Sequence, residues 1–214
     1  MAPDKPANLA ELAYTALEAR LVTLHWPPGA LLQEKDLAQA IGIGRTPVRE
    51  AVQRLAGQGL LKILPRKGLL VAPVQRSELL QIIEVRRVLE RLLVVKAAER
   101  ASPQQRDTLA GLAAQFATVG EELDQYMRLD RALDAALGEA CANPYLAAAL
   151  APLHAHCRRF WFLRRERLDL ARAVALHAGL ADAAARADGS GAIRALNGII
   201  AVLEEQLGAL DVIS

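Results

Sequence analysis

Apolar residues recur at helical spacing through most of this chain, and the punctuation between the runs defines the elements. Leucines and alanines follow a 3.6-residue period from Leu9 to about His25, where WPPG (26–29) ends the pattern because proline cannot continue a helix. A second helix fits 34–41 (EKDLAQAI), with Glu34 and Asp36 in the first turn, where the helix dipole favours anions. GIG at 42–44 reads as a turn and a third helix runs from about Arg45 to Gln58. After Gly59 the period changes. LLKIL (60–64) and LLVAP (69–73) flank PRKG (65–68), a proline-first, glycine-last turn between short apolar runs, which predicts a β-hairpin.

Beyond a connection around Pro73–Ser77 everything reads as helix: 78–100, 103–119, 121–141, 144–167, 169–188 and 190–210, broken at Pro103, Gly120, Pro144 and Gly189–Gly191. The expected fold is therefore mainly α, with two domains: 1–74, three helices and a hairpin, and 75–214, an all-α helical bundle. Residues 1–8 (MAPDKPAN) read as a disordered arm. With 214 residues and 53% hydrophobic composition, both domains have enough material for a core.

Charge sharpens this picture. Residues 1–74 hold nine Lys and Arg against six Asp and Glu, whereas 75–214 hold 17 against 18. Within 44–67 the cations Arg45, Arg49, Arg54, Lys62, Arg66 and Lys67 face one anion, Glu50. Such a local excess is either a solvated face or a phosphate-binding surface. The helical wheel shows where these cations lie. On 45–55, Val48, Ala51, Val52 and Leu55 form a core stripe, while Arg45, Thr46, Arg49 and Gln53 share a flank that begins at the helix N-terminus. A helix-turn-helix inserts the N-terminal part of its second helix into the major groove, and arginine fits guanine bidentately. Arg45 and Arg49 stand where such a reader sits, with Lys35 and the hairpin-tip Arg66 and Lys67 positioned to neutralise phosphates on either side. Gly68 admits two readings: backbone freedom in the turn, or close approach to DNA.

The run PPGALLQEKDLAQAIGIGRTPVREAVQRLAGQGLLKILPRKGLLV (27–71) resembles the winged-helix DNA-binding domain of GntR-type bacterial transcription regulators. The resemblance implies a winged helix-turn-helix with a β-hairpin wing and binding of a double-stranded DNA operator by a homodimer. Lys35, Arg45, Thr46, Arg49 and the wing residues Arg66, Lys67 and Gly68 match the family's DNA-contacting positions. Gly44 departs from the serine usual there; glycine still serves as an N-cap, so weaker positioning is expected rather than lost binding.

The stretches IIEVRRVLERLLVVKAAE (82–99), LDRALDAALGEACANPYL (129–146) and LHAGLADAAARADGSGAIRAL (176–196) resemble the all-helical effector domain of the FadR subgroup, the FCD type. That resemblance implies a small organic acid bound in the bundle, commonly beside a divalent metal held by one Asp and three His. Asp130 and His177 are retained, whereas Asp134 and Ile199 stand at two of the histidine positions. The ligand set left for zinc, nickel or manganese is Asp130, Asp134 and His177, completed by water. Asp130 and Asp134 also read as a solvated helix face, and His177 as a packed histidine. His154 and His156 are substitutes, although Arg158 and Arg159 make their helix read as surface. Arg86 is the candidate clamp for a carboxylate effector, or the partner of Glu90 at i+4.

The expected protein is thus a cytoplasmic regulator, taken as a repressor, that binds DNA and a small carboxylate. The alternative is a constitutive dimeric DNA-binding protein whose helical domain has lost effector and metal. No nucleophile and base spacing or metallohydrolase motif points to an enzyme. Cys141 and Cys157 have no paired spacing and read as small buried residues, and the longest apolar run, 145–153, is too short to span a bilayer.

Overall fold

The computed structural model describes residues 8–120 and 122–208, and the chain divides into two compact units, one of residues 1–75 with 158–163 and one of 76–157 with 164–214. The expected arm over 1–7 and the expected helix ends at 121 and 210 lie outside the described residues. Asn8, assigned to the arm in the sequence reading, instead caps the first helix by accepting from the Ala10 amide.

In the first unit, α1 (Leu9–Val22) stops before the WPPG turn, and α2 (Glu34–Ile41) and α3 (Arg45–Gly57) are joined by a turn in which Gly42 takes a left-handed conformation. The wheel's stripe is the core: Val48, Ala51, Val52 and Leu55 are buried with Ala13, Leu17 and Leu21 of α1 and Leu37 of α2. Each buried leucine contributes about 1.5–3 kcal/mol, which is what holds helices this short. The expected hairpin is present as β2 (Leu61–Leu64) and β3 (Gly68–Val71), antiparallel, with Leu64 opposite Gly68. A third strand was not foreseen. β1 (Leu31–Leu32) pairs antiparallel with β3, so the sheet order is β1-β3-β2. Two residues carry no alternation to read; their pairing is a consequence of the Gly29 amide and Ala30 carbonyl bonding Val71 at 2.9 Å each.

Beyond residue 75, α4 (Arg76–Arg100), α5 (Pro103–Phe116), α6 (Leu123–Ala140), α7 (Pro144–Leu163), α8 (Leu170–Ala185) and α9 (Gly189–Gly208) follow the expected order and make up the second unit, except that residues 158–163 of α7 belong to the first. α8 packs on α5 and α9, and α4 on α9 and α6. Helix α5 begins with a capping box between Ser102 and Gln105 with Pro103 in the first turn. The predicted helix over 144–167 is broken: α7 ends at Leu163 and a 3-10 turn covers Arg165–Arg167. No helix among the described residues is long and apolar enough to cross a membrane.

Candidate nucleic-acid interface and a charged helical core

A groove of about 710 Å³ opens on the first unit. It is lined by Gln33, Glu34 and Lys35 at the start of α2, by Arg45, Thr46 and Arg49 on α3, and by Ile63 to Arg66, Gly68 and Leu69 on the wing. The fold gathers these segments because the α3 stripe turns its apolar side to α1, which leaves the first turn of α3 facing out beside the hairpin. Six predicted positions, Lys35, Arg45, Thr46, Arg49, Arg66 and Gly68, share this groove; Lys67 is exposed at the wing tip but does not line it. Gly44 caps α3 through its backbone, without a side-chain hydrogen bond.

Two groove residues escaped the sequence reading. Glu34 Oε2 accepts from Arg49 Nε at 3.3 Å, so the Arg49 guanidinium is tethered to α2. Gln33 Nε2 donates to the Lys67 carbonyl at 3.2 Å and ties the wing tip to the same helix end. Their adjacency to Lys35 was the available signal, but only folding shows what each reaches.

Arg54, counted in the cation cluster, has another task. Its guanidinium lies 3.6 Å from the Tyr14 ring centroid and 2.7 Å from Glu11, both on α1, while Tyr14 Oη donates to Gln58. It braces α3 against α1.

The interior of the second unit contains a run of charged side chains. Arg86 Nε and Nη2 both donate to Glu90 Oε1, at 3.0 and 2.7 Å. His154 of α7 donates through Nε2 to the same oxygen, and its Nδ1 lies 2.8 Å from Asp134 Oδ2 on α6. Burial works against charge on His154, but Asp134 and Glu90 outweigh it and push the imidazole up to about 9. Burial likewise works against the Glu90 carboxylate, and Arg86 and His154 overcome it, holding the group at about 2. A separate pair stands beside this run: His177 Nε2 is 3.1 Å from Asp130 Oδ1, and its Nδ1 is 2.7 Å from the Ala173 carbonyl. The His177 ring also meets Tyr126 edge-on, with ring centroids 5.2 Å apart.

These contacts correct two expectations. Asp130, Asp134 and His177 do not gather as one ligand set: Asp130 meets His177, whereas Asp134 meets His154. Among the described residues no group of three or more His, Cys, Asp or Glu is placed to hold a metal ion, so the residues present do not fit the metal implied by the resemblance. The second correction concerns α7. His154, His156, Arg158 and Arg159 are buried; carboxylates of Glu90 and Asp134 receive His154, and Arg159 donates to the Ala72 carbonyl. Arg86 is engaged with Glu90, the partner its i+4 spacing offered. Cys141 and Cys157 are buried, as read.

Comparison with known proteins places the two units in separate families. Residues 9–71 match "Bacterial regulatory proteins, gntR family" and residues 81–202 match "FCD domain". An HTH-type transcriptional regulator from the TAR-I ttuE-ttuC' intergenic region of Agrobacterium vitis is 33% identical over 104 residues, 49% of this chain and 61% of that protein. The HTH-type transcriptional regulator YieP of Escherichia coli is 26% identical over 215 residues, covering 90% of this chain and 93% of YieP. Among solved structures, E. coli McbR/YncC superposes with a TM-score of 0.80 at 26% identity, over 92% of this chain and 98% of that one.

Proposed function

Because this chain belongs to the gntR family of bacterial regulatory proteins and carries an FCD domain, it is a DNA-binding transcription regulator and not an enzyme, and we propose that it is a homodimeric, FadR-type repressor released by a small organic acid. The observation that carries the DNA half is the groove. Arg45, Thr46 and Arg49 share it with Lys35 and Arg66, so base-reading and phosphate-holding groups stand on one concave face. Arg45 and Arg49 read base edges; Lys35, Arg66 and Lys67 neutralise backbone charge; Gly68 keeps the wing close.

A homodimer supplies two such faces to a two-fold operator. Support comes from α4, where Val85, Val88 and Leu92, exposed by 46, 69 and 45%, recur at i, i+3 and i+7 and form an apolar stripe suited to a second copy of the same helix.

The acid is proposed to enter the charged interior around Arg86, Asp130, Asp134 and His177. It has to exchange with Glu90 for the Arg86 guanidinium, so its affinity is the difference between two ion pairs. A tenfold change in operator affinity requires about 1.4 kcal/mol of coupling between acid and DNA. A second reading, constitutive DNA binding by a dimer without effector, is favoured by the same observation: Arg86 and His154 are already matched with carboxylates.

The experiment is selection of bound genomic fragments by the purified chain against random competitor at moderate salt, followed by a thermal-shift screen of small mono- and dicarboxylates. A selected two-fold sequence, bound less tightly with an acid that raises Tm, is the expected result. Equal binding to all fragments overturns the operator reading; a selected operator with no responsive acid leaves the constitutive dimer.

A further inference from the structure

We propose that the helical unit is closed by a proton-carrying clasp instead of a metal: His154 of α7, gripped between Asp134 of α6 and Glu90 of α4, cross-links three helices, and the chain carries no resident zinc, nickel or manganese. A divalent ion in a carboxylate and histidine site does two things. It offsets buried negative charge and it ties side chains from separate helices to one point. The residues on these three helices already do both.

The hydrogen inventory requires it. Each ring nitrogen of His154 faces a carboxylate oxygen, Nδ1 toward Asp134 and Nε2 toward Glu90. A neutral imidazole has one N–H, and would aim a lone pair at one of the two anions. Only the doubly protonated ring satisfies both, and in that form it has no lone pair for a metal. Arg86 adds a second cation on Glu90 Oε1. Two cations thus face two carboxylates, and a divalent ion entering here has to expel a proton and break charge-assisted hydrogen bonds.

At the four positions of the family's ligand set too little remains outside the clasp for a site, and among the described residues neither His156 nor any other His, Cys, Asp or Glu completes a group of three. Asp130 and His177 offer two donors, and Ile199, buried in α9, offers none. Glu90 Oε2 is a buried acceptor with no hydrogen-bond partner, but a single oxygen is not a coordination sphere. This inference is independent of the operator reading, because it concerns how the bundle is held; it shares Arg86, Glu90 and Asp134 with the effector reading.

The test uses the full chain, purified without chelator from cells grown with added zinc, nickel and manganese. Mass spectrometry for metals is expected to find under about 0.1 ion per chain, since half the donor set is missing. EDTA is expected to leave Tm unchanged, and calorimetric titration with each of the three ions to show no stoichiometric binding. His154→Gln, which keeps at most one of the two bonds, is expected to lower Tm by about 5–10 °C, with no recovery on adding zinc. About one ion per chain, or a Tm that falls by several degrees in EDTA, overturns the metal-free assignment. An unchanged Tm in the His154→Gln chain overturns the clasp.

Discussion

Gln33 and Lys67, one at the start of α2 and the other at the wing tip, are joined by a hydrogen bond of 3.2 Å from the Gln33 amide to the Lys67 carbonyl. The next residue, Gly68, sits at φ +104°, and a Cβ there would lie 2.5 Å from the Leu32 carbonyl oxygen and 2.7 Å from Gln33 Nε2. Backbone freedom and lack of room both demand glycine. Gly68→Ala is expected to destabilise the first unit by about 1–3 kcal/mol, measured by urea unfolding, through strain at the sign of φ and the displaced wing. Full stability in this variant means that the wing does not dock on α2 as described.

Arg49 and Lys67 are expected to fail differently. Arg49→Ala should cost about 1–3 kcal/mol at the selected operator and flatten discrimination between base sequences. Lys67→Ala should weaken binding to all duplexes alike and lower the slope of log affinity against log salt by about one. Competition binding on cognate and scrambled DNA at several salt concentrations separates the two, and identical behaviour across sequences refutes the assignment of reader and positioner.

Glu34 restrains Arg49 from 3.3 Å away and places an anion in the groove proposed to receive phosphates. Glu34→Gln is expected to raise affinity for random duplex by roughly 2–5-fold, the scale of an exposed ion pair, while narrowing the gap between cognate and random DNA. A wider gap would mean that the tether does not orient the arginine.

Arg54 separates cation count from DNA contact. Arg54→Ala should leave operator affinity unchanged and destabilise the first unit by about 1 kcal/mol, the scale of a cation–π contact with an exposed ion pair.

The clasp also predicts the shape of stability against pH. His154, raised from 6.5 to about 9, contributes its stability fully below pH 6.5 and loses it as pH rises through about 9. Glu90, lowered from 4.5 to about 2, contributes above pH 4.5 and loses its share as pH falls through about 2. The clasp therefore works best between about pH 4.5 and 6.5, and chemical denaturation from pH 6.5 to 9.5 should show a loss on the order of 3 kcal/mol that His154→Gln abolishes. Equal slopes in the two chains would refute the charged imidazole.

Val88→Glu bears on assembly. A carboxylate at the most exposed position of the α4 stripe should shift the proposed dimer toward monomer in sedimentation experiments, with loss of cooperative binding to a two-fold operator and little change in the helical signal. A dimer unaffected by this charge is joined elsewhere.

The local order of apolar, polar and helix-breaking residues was enough to determine most of the architecture. Val48, Ala51, Val52 and Leu55 had to face inward because their spacing admits one buried side, and that choice alone turned Arg45 and Arg49 outward. Proline and glycine marked the turns for the same local reason. β1 was not legible, since two leucines acquire strand character only from the β3 backbone beside them. Nor could spacing reveal that Arg54 braces Tyr14, that Glu34 restrains Arg49, or that His154 of an arginine-rich helix is buried between two carboxylates. Periodicity says which side of a helix is buried, a property of neighbours three or four residues apart. Which charges then meet inside depends on helices far apart in sequence, and only the tertiary structure decided that Asp134 answers His154 while Asp130 answers His177.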